Sequence, residues 1–200
     1  MTRAGFQAIN LITHRAAIVG RAIDQRRQTS LAGVAVTITA GPPAWTARLA
    51  VLQQGQPGAR PDRTISDARG VFRWLDLPAG AYTLSAALPG TRYAAATGSA
   101  TVITTGPVNV ELALVPTTVT GTINTAGPPV GPLANARVRF PDSEDATYAA
   151  ADGSFTLSAV EAGTNRALEV SAQNHVTTTR TVTLSQGQVI TASTITLNHG

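Results

Sequence analysis

Three histidines, a small acidic cluster and a few large aromatics are the residues of this chain that could carry chemistry. His14, His175 and His199 could ligate a metal or act as bases, but no two stand at the spacing of paired metal ligands. None belongs to a nucleophile–base arrangement, so all three read as surface or loop histidines. Asp142, Glu144 and Asp145 could hold calcium together with backbone carbonyls. They lack the glycine and regularly spaced oxygens of a dedicated calcium loop, so they read as a solvated acidic loop. Cysteine and lysine are both absent. Disulfides, thiol nucleophiles, Schiff bases and Lys–Asn isopeptide staples are therefore excluded. With no paired acid and base and no activated nucleophile, the expectation is a non-enzyme without cofactor or metal.

Trp45, Trp74, Tyr82 and Tyr93 could instead stack on a sugar ring. Trp74 and Tyr82 fall on the inward face of alternating strands and read as core. Trp45 either pins a short helix to the body of the protein or stands exposed as a contact residue. The charge pattern argues against nucleic acid. The net charge of +4 is modest, all fifteen basic residues are arginines, and only Arg26 and Arg27 are adjacent. A basic stripe interleaved with aromatics is missing, and aromatics make up 4% of the chain.

The elements that must position these residues are written twice. The stretch Ser66 to Leu84 contains Asp67-Ala68-Arg69-Gly70-Val71-Phe72-Arg73-Trp74 and then Leu77-Pro78-Ala79-Gly80-Ala81-Tyr82. It returns in degenerate form as Asp152-Gly153-Ser154-Phe155-Thr156-Leu157, followed by Val160-Glu161-Ala162-Gly163 and Leu168-Glu169-Val170. Upstream, Leu31-Ala32-Gly33-Val34-Ala35-Val36 is echoed by Leu133-Ala134-Asn135-Ala136-Arg137-Val138. An internal repeat requires two similar folding units. Period-two alternation at Val34, Val36 and Ile38, at Tyr82, Leu84 and Ala86, at Leu168, Val170 and Ala172, and at Val108, Val110, Leu112 and Leu114 predicts half-buried strands. Charged residues are 13% of the chain, against roughly 25% in a typical soluble protein. A surface rich in Thr, Ser, Ala and Gly favours strands over helices.

Between Gly41 and Arg63 the first copy holds an insert that the second lacks. It opens Gly41-Pro42-Pro43 and spaces Trp45, Leu49 and Leu52 as one face of a short helix. Long insertions are often functional, so Trp45, Leu49 and Leu52 are candidate partner-binding residues. So are Phe6, Ile9, Leu11 and Ile12, four large apolar residues in an arm ahead of the first predicted strand. That arm could add as a strand to a neighbour's sheet edge. Residues 1–16 form this docking arm, 17–115 the first domain with its 41–62 insert, and 116–200 the second. Val115-Pro116 is a linker short and stiff enough to hold the two end to end. The N-terminus does not read as a signal peptide, because Gln7, Asn10, Thr13 and His14 interrupt any apolar run. Synthesis in the cytoplasm without direct membrane insertion is the expectation.

The run Asp67 to Leu84, with Gly33-Val34-Ala35-Val36 before it, resembles the carboxypeptidase-regulatory-like family of transthyretin-like (prealbumin-like) domains. The resemblance covers residues 17–115 well. It covers 116–200 more weakly, where Val160-Glu161-Ala162-Gly163 replaces Leu-Pro-Ala-Gly. It implies an all-β chain of two Ig-like, prealbumin-like Greek-key β-sandwiches in tandem, with one short helix in the insert. No activity carries over, since nothing in the chain resembles the family's zinc-binding catalytic domain. The start, Met1 to Asn10, joined to a sandwich with a Pro-rich insert, is similar to accessory proteins encoded with phage-tail-like contractile injection particles. The functional expectation is a structural subunit, present in multiple copies in such a particle and attached through its arm and insert. The alternative is a carbohydrate- or surface-binding module using Trp45, Tyr93 and the insert loop.

Overall fold

The computed structural model describes residues 14–200. Sixteen strands and a single helix make up the regular structure of these residues. In the first half the strands are β1 (Ala16–Asp24), β2 (Ala35–Ala40), β3 (Arg63–Ile65), β4 (Val71–Leu75), β5 (Gly80–Ala87), β6 (Ala96–Val102) and β7 (Val108–Leu114), with the helix α1 (Pro43–Gly55) between β2 and β3. The second half holds β8 (Thr118–Thr125), β9 (Gly131–Pro132), β10 (Arg137–Arg139), β11 (Ala146–Tyr148), β12 (Ser154–Ser158), β13 (Gly163–Ser171), β14 (Thr178–Leu184), β15 (Val189–Thr191) and β16 (Ile195–Leu197).

The written repeat is also a repeat of topology. The first sandwich packs a sheet ordered β4-β1-β7 against one ordered β3-β2-β5-β6. The second packs β12-β8-β15 against β11-β10-β13-β14, with β9 and β16 also paired to β8. In the first copy β1 runs antiparallel to β4 and parallel to β7, and in the second β8 likewise runs antiparallel to β12 and parallel to β15 and β16. Each sandwich closes over its own apolar cluster, one built on Ile18, Phe72, Tyr82 and Leu84 and the other on Phe140, Phe155, Leu168 and Leu197. The alternation read from sequence is what fills these clusters: Val34, Val36 and Ile38 are buried, as are Tyr82, Leu84 and Ala86. Val108 and Val110 are only half-buried, because the inner face of β7 is sealed at its Leu112–Leu114 end.

Two glycine positions recur for steric reasons. Gly20 pairs with Phe72 and Gly121 with Phe155, and each ring lies across the glycine opposite it. A Cβ on Gly121 would stand 2.7 Å from a Phe155 ring carbon, and one on Gly20 would fall inside the Phe72 ring. Gly70 and Gly153 close the turns before β4 and β12 at φ 73° and 75°, a region glycine enters without steric cost.

The two sandwiches meet at a polar junction built around residues 91–94. Arg92 sends Nε to Glu161 at 2.9 Å and one terminal nitrogen to Asp145 at 2.7 Å and to the Ala159 carbonyl at 2.6 Å. The Thr91 hydroxyl donates to Glu161 at 2.6 Å and accepts the Ala162 N–H at 3.0 Å. Gln186 donates to the Tyr93 carbonyl at 2.5 Å, and Gly187 N–H to the Thr117 hydroxyl at 2.8 Å. Alongside, Ala94 N–H binds the Val115 carbonyl and Thr117 N–H the Arg92 carbonyl, so the 91–94 loop is laced to the linker. Glu161 stands where the first copy has Pro78 in its Leu-Pro-Ala-Gly turn. The departure from the motif thus supplies a junction acid.

The acidic cluster needs correction. Asp142 is bonded through both carboxylate oxygens to Arg166, whose nearly buried guanidinium lies 4.0 Å above the Phe140 ring and also donates to the Glu161 carbonyl. Asp145 is spent on Arg92, so Asp142 and Asp145 are paired, Asp142 while still exposed, and Glu144 alone of the three has no arginine partner among the described residues. Sequence spacing could not show this, because the arginines come from 24 and 53 residues away.

Acid should loosen the junction before it unfolds either core. The Thr91 hydroxyl, and secondarily Arg92, hold the Glu161 carboxyl below its ordinary 4.5. A depressed carboxyl pKa gives stabilisation that is complete above the ordinary value and lost as pH falls through the folded one. Amide protection factors at Arg92–Ala94 are therefore expected to fall below about pH 4, and Arg92→Ala should lower them already at neutral pH. Equal protection at neutral and acid pH in the wild type would refute this role for Glu161.

Candidate docking surface

The insert forms its helix where the Trp45, Leu49 and Leu52 spacing places it. Pro43 opens α1 at a position where a missing N–H costs nothing, and the Pro42 carbonyl accepts from Trp45 and Thr46. Trp45 is 4% exposed and meets Tyr82 edge-on, with ring centroids 6.2 Å apart. Leu49 packs half-buried on the same core. Of the two readings of Trp45, burial bears out packing: its indole is the wedge that seats the helix on the sandwich, and its place among the candidate partner-binding residues is corrected. What the helix presents outward is Val51, 68% exposed, and Leu52, 38% exposed.

Arg48 ties this helix to the root of the N-terminal arm. Its guanidinium donates to the Asp76 carbonyl at 2.6 Å. Asp76, at φ 52° in the turn after β4, also receives the Arg15 N–H on Oδ1 at 2.8 Å and contacts His14 Nδ1 through Oδ2. Its own N–H returns to the Arg15 carbonyl at 2.8 Å. The Arg15 guanidinium reaches the carbonyls of Ile103, at 2.9 Å, and Thr104. The Arg15 N–H and then His14 hold the Asp76 carboxyl below the usual carboxylate range. Four segments are thus tied together around Asp76 and Arg15: the arm root on the Asp76 carboxylate, α1 on the Asp76 main-chain carbonyl, and the loop after β6 on the Arg15 guanidinium.

Apolar side chains surround that knot. Leu75 and Ile103 are about half exposed, and Val51 and Leu52 follow Arg48 at i+3 and i+4, on its side of the helix. Sequence reasoning missed Asp76, Arg15, Arg48, Leu75 and Ile103. Leu75-Asp76 looks like an ordinary strand end, and its partners lie 61 and 28 residues away. Phe6, Ile9, Leu11 and Ile12 lie outside the described residues.

Tyr93, which the alternative glycan- or surface-binding reading places at a contact surface, is instead buried. It is 7% exposed, and its hydroxyl donates to the fully buried Asp24 at 2.9 Å. Burial, reinforced by that bond, pushes the Tyr93 phenol up to about 12. Trp74 and Tyr82 are core, as their alternation predicts. His14 sits at the arm root, whereas His175 and His199 face each other at the end of the second sandwich. Among the described residues no three His, Asp or Glu side chains gather where a metal could be held. No helix of the described residues is long and apolar enough to cross a membrane.

No family profile and no curated protein matches the chain. Solved structures do. The shaft pilin SpaA from Lactobacillus rhamnosus GG aligns over 94% of this chain and 98% of its own, at 13% identity and TM-score 0.42. The Bacillus anthracis TIE protein aligns over 93% of this chain at 12% identity and TM-score 0.43, and this chain spans 34% of its length. A minor pilin of Streptococcus agalactiae aligns over 92% of this chain and 95% of its own, at 11% identity and TM-score 0.35. At these identities and TM-scores the likenesses carry no argument about activity, partner or location.

Proposed function

We propose that this chain is a non-enzymatic structural subunit of a larger protein assembly, docked through its N-terminal arm and the helix-bearing pole of its first sandwich. The observation that carries this reading is the knot at Asp76. The arm and the insert are the two features the second copy lacks, and they are joined at one pole among the exposed apolar side chains of Leu75, Ile103, Val51 and Leu52. A domain division into an arm of residues 1–16, a sandwich of 17–115 and a sandwich of 116–200 accompanies this reading. Two separate apolar clusters and a polar junction support it. Membership of the carboxypeptidase-regulatory-like family is part of the same proposal, resting on the turn and strand pattern of Asp67 to Leu84. The assembly we propose is a phage-tail-like contractile injection particle holding several copies, on the resemblance of Met1 to Asn10. The glycan-binding alternative is left with the insert loop alone, because the two aromatics it names, Trp45 and Tyr93, are buried.

Removal of residues 1–13 in the native cell, followed by purification of the assembly, tests the proposal. The shortened chain is expected to fold with an unchanged melting temperature and to be missing from the assembly. Ile103→Asp, on the same pole, should weaken incorporation without unfolding the sandwich. Undiminished incorporation of both variants would refute docking at this pole.

A further inference from the structure

At the end of the second sandwich the fold sets two histidines directly opposite each other. His175, in the β13–β14 connection, and His199, after β16, form an antiparallel bridge. Val176 N–H binds the Asn198 carbonyl at 2.8 Å and Gly200 N–H the Asn174 carbonyl at 3.1 Å. These bonds flank the histidines rather than join them. They form a non-hydrogen-bonded pair, the arrangement in which facing side chains come closest and share one face. The imidazole centroids are 4.5 Å apart.

Hydrogen bonding assigns the ring nitrogens. His175 Nδ1 lies 2.8 Å from the Gln173 carbonyl, which can only accept, so Nδ1 carries the hydrogen and Nε2 presents a lone pair. That Nε2 is 3.2 Å from Thr125 Oγ1, at the end of β8, and His199 Nε2 is 3.2 Å from the same oxygen. Gly127 makes room for the second ring, since a Cβ there would stand 2.5 Å from His199 Cδ2.

We propose that His175 and His199 form a binding site for a divalent transition-metal ion, with the Thr125 hydroxyl and water completing its coordination. A backbone carbonyl on Nδ1 and a lone pair on Nε2 is the second-shell pattern of metal-bound histidine. The ion takes a position about 2.0–2.1 Å from each Nε2, where the Thr125 hydroxyl ligates through an oxygen lone pair and turns its retained hydrogen toward solvent. His199 moves its proton to Nδ1, and its exposed ring can turn to close the remaining distance. Two neutral nitrogens without a carboxylate select nitrogen-preferring ions, copper(II) before nickel(II) and zinc(II), and leave calcium and magnesium unbound. The bound ion would clamp the residues after β16 to the β13–β14 connection and to β8, stabilising the folded state by mass action.

Calorimetric titration of the full chain with copper(II), nickel(II), zinc(II) and calcium, alongside melting curves, tests this. One copper ion per chain is expected to bind most tightly and raise the melting temperature, with no response to calcium. His175→Ala or His199→Ala should each weaken binding at least about tenfold, while His14→Ala, at the opposite pole, should leave it unchanged. Failure of the wild-type chain to bind copper at submillimolar concentration would overturn the site, whatever the variants do. Equally tight binding by the His175→Ala/His199→Ala double variant would overturn it as well.

Discussion

Trp45→Ala is expected to destabilise the chain by about 3–5 kcal/mol, the cost of emptying a large buried aromatic site. The indole is nearly inaccessible, stands edge-on to Tyr82 and fills the seam between α1 and the β3-β2-β5-β6 sheet. The cavity cannot collapse easily, because Pro42 and Pro43 fix the helix start and Arg48 pins its middle to Asp76. Leu52→Ala, one turn beyond Leu49 and partly exposed, should change stability by no more than about 0.5 kcal/mol. Chemical denaturation of both variants makes the comparison. A Trp45→Ala chain as stable as the wild type would return that residue to the partner surface and remove the physical basis for treating α1 as part of the first sandwich.

Asp24→Ala is expected to cost about 3–5 kcal/mol, from leaving the buried Tyr93 hydroxyl and two part-buried turn amides without their charged acceptor. The carboxylate is fully buried at the end of β1. Oδ1 accepts the N–H groups of Arg26 and Arg27, each at 2.8 Å, and Oδ2 accepts the Tyr93 hydroxyl. Removal therefore strands two turn amides and one phenol together. Tyr93→Phe, which deletes one donor, should cost less, about 1–3 kcal/mol. Because Tyr93 belongs to the loop that holds Gln186 and stacks beside the linker, both changes should also speed amide exchange at residues 92–94. Thermal unfolding with exchange measurements decides it. A mild loss of stability with the junction still protected would show that Asp24 serves its own turn alone.

Local signals carried much of the architecture. Period-two alternation marks β2, β5 and β7 of the first sandwich because a strand's two faces see core and solvent in turn. Asp67 to Gly70 and Asp152-Gly153 mark turns because their backbone conformations depend on nearest neighbours. The i, i+4, i+7 spacing of Trp45, Leu49 and Leu52 is local in the same way, and α1 forms there. The functional surface was less legible. An arginine such as Arg92 has no sequence feature that names Glu161 or Asp145 as its partners, and Asp142 and Asp145 read as unpaired for that reason. His175 and His199 carry no spacing signal at all, since only strand pairing sets them opposite each other.

Sequence by itself determined that this chain is all-β, that it is built from two copies of one sandwich plan, and that the first copy alone carries an arm and a helical insert. Alternation, turn chemistry and repetition are enough for that, because each is written in contiguous residues. The tertiary structure alone decided that Trp45 and Tyr93 face inward, that arm and insert are knotted at Asp76, and that Glu161 joins the sandwiches through Thr91 and Arg92. Those outcomes depend on groups brought together across tens of residues, where burial and hydrogen-bond satisfaction are settled by the folded shape.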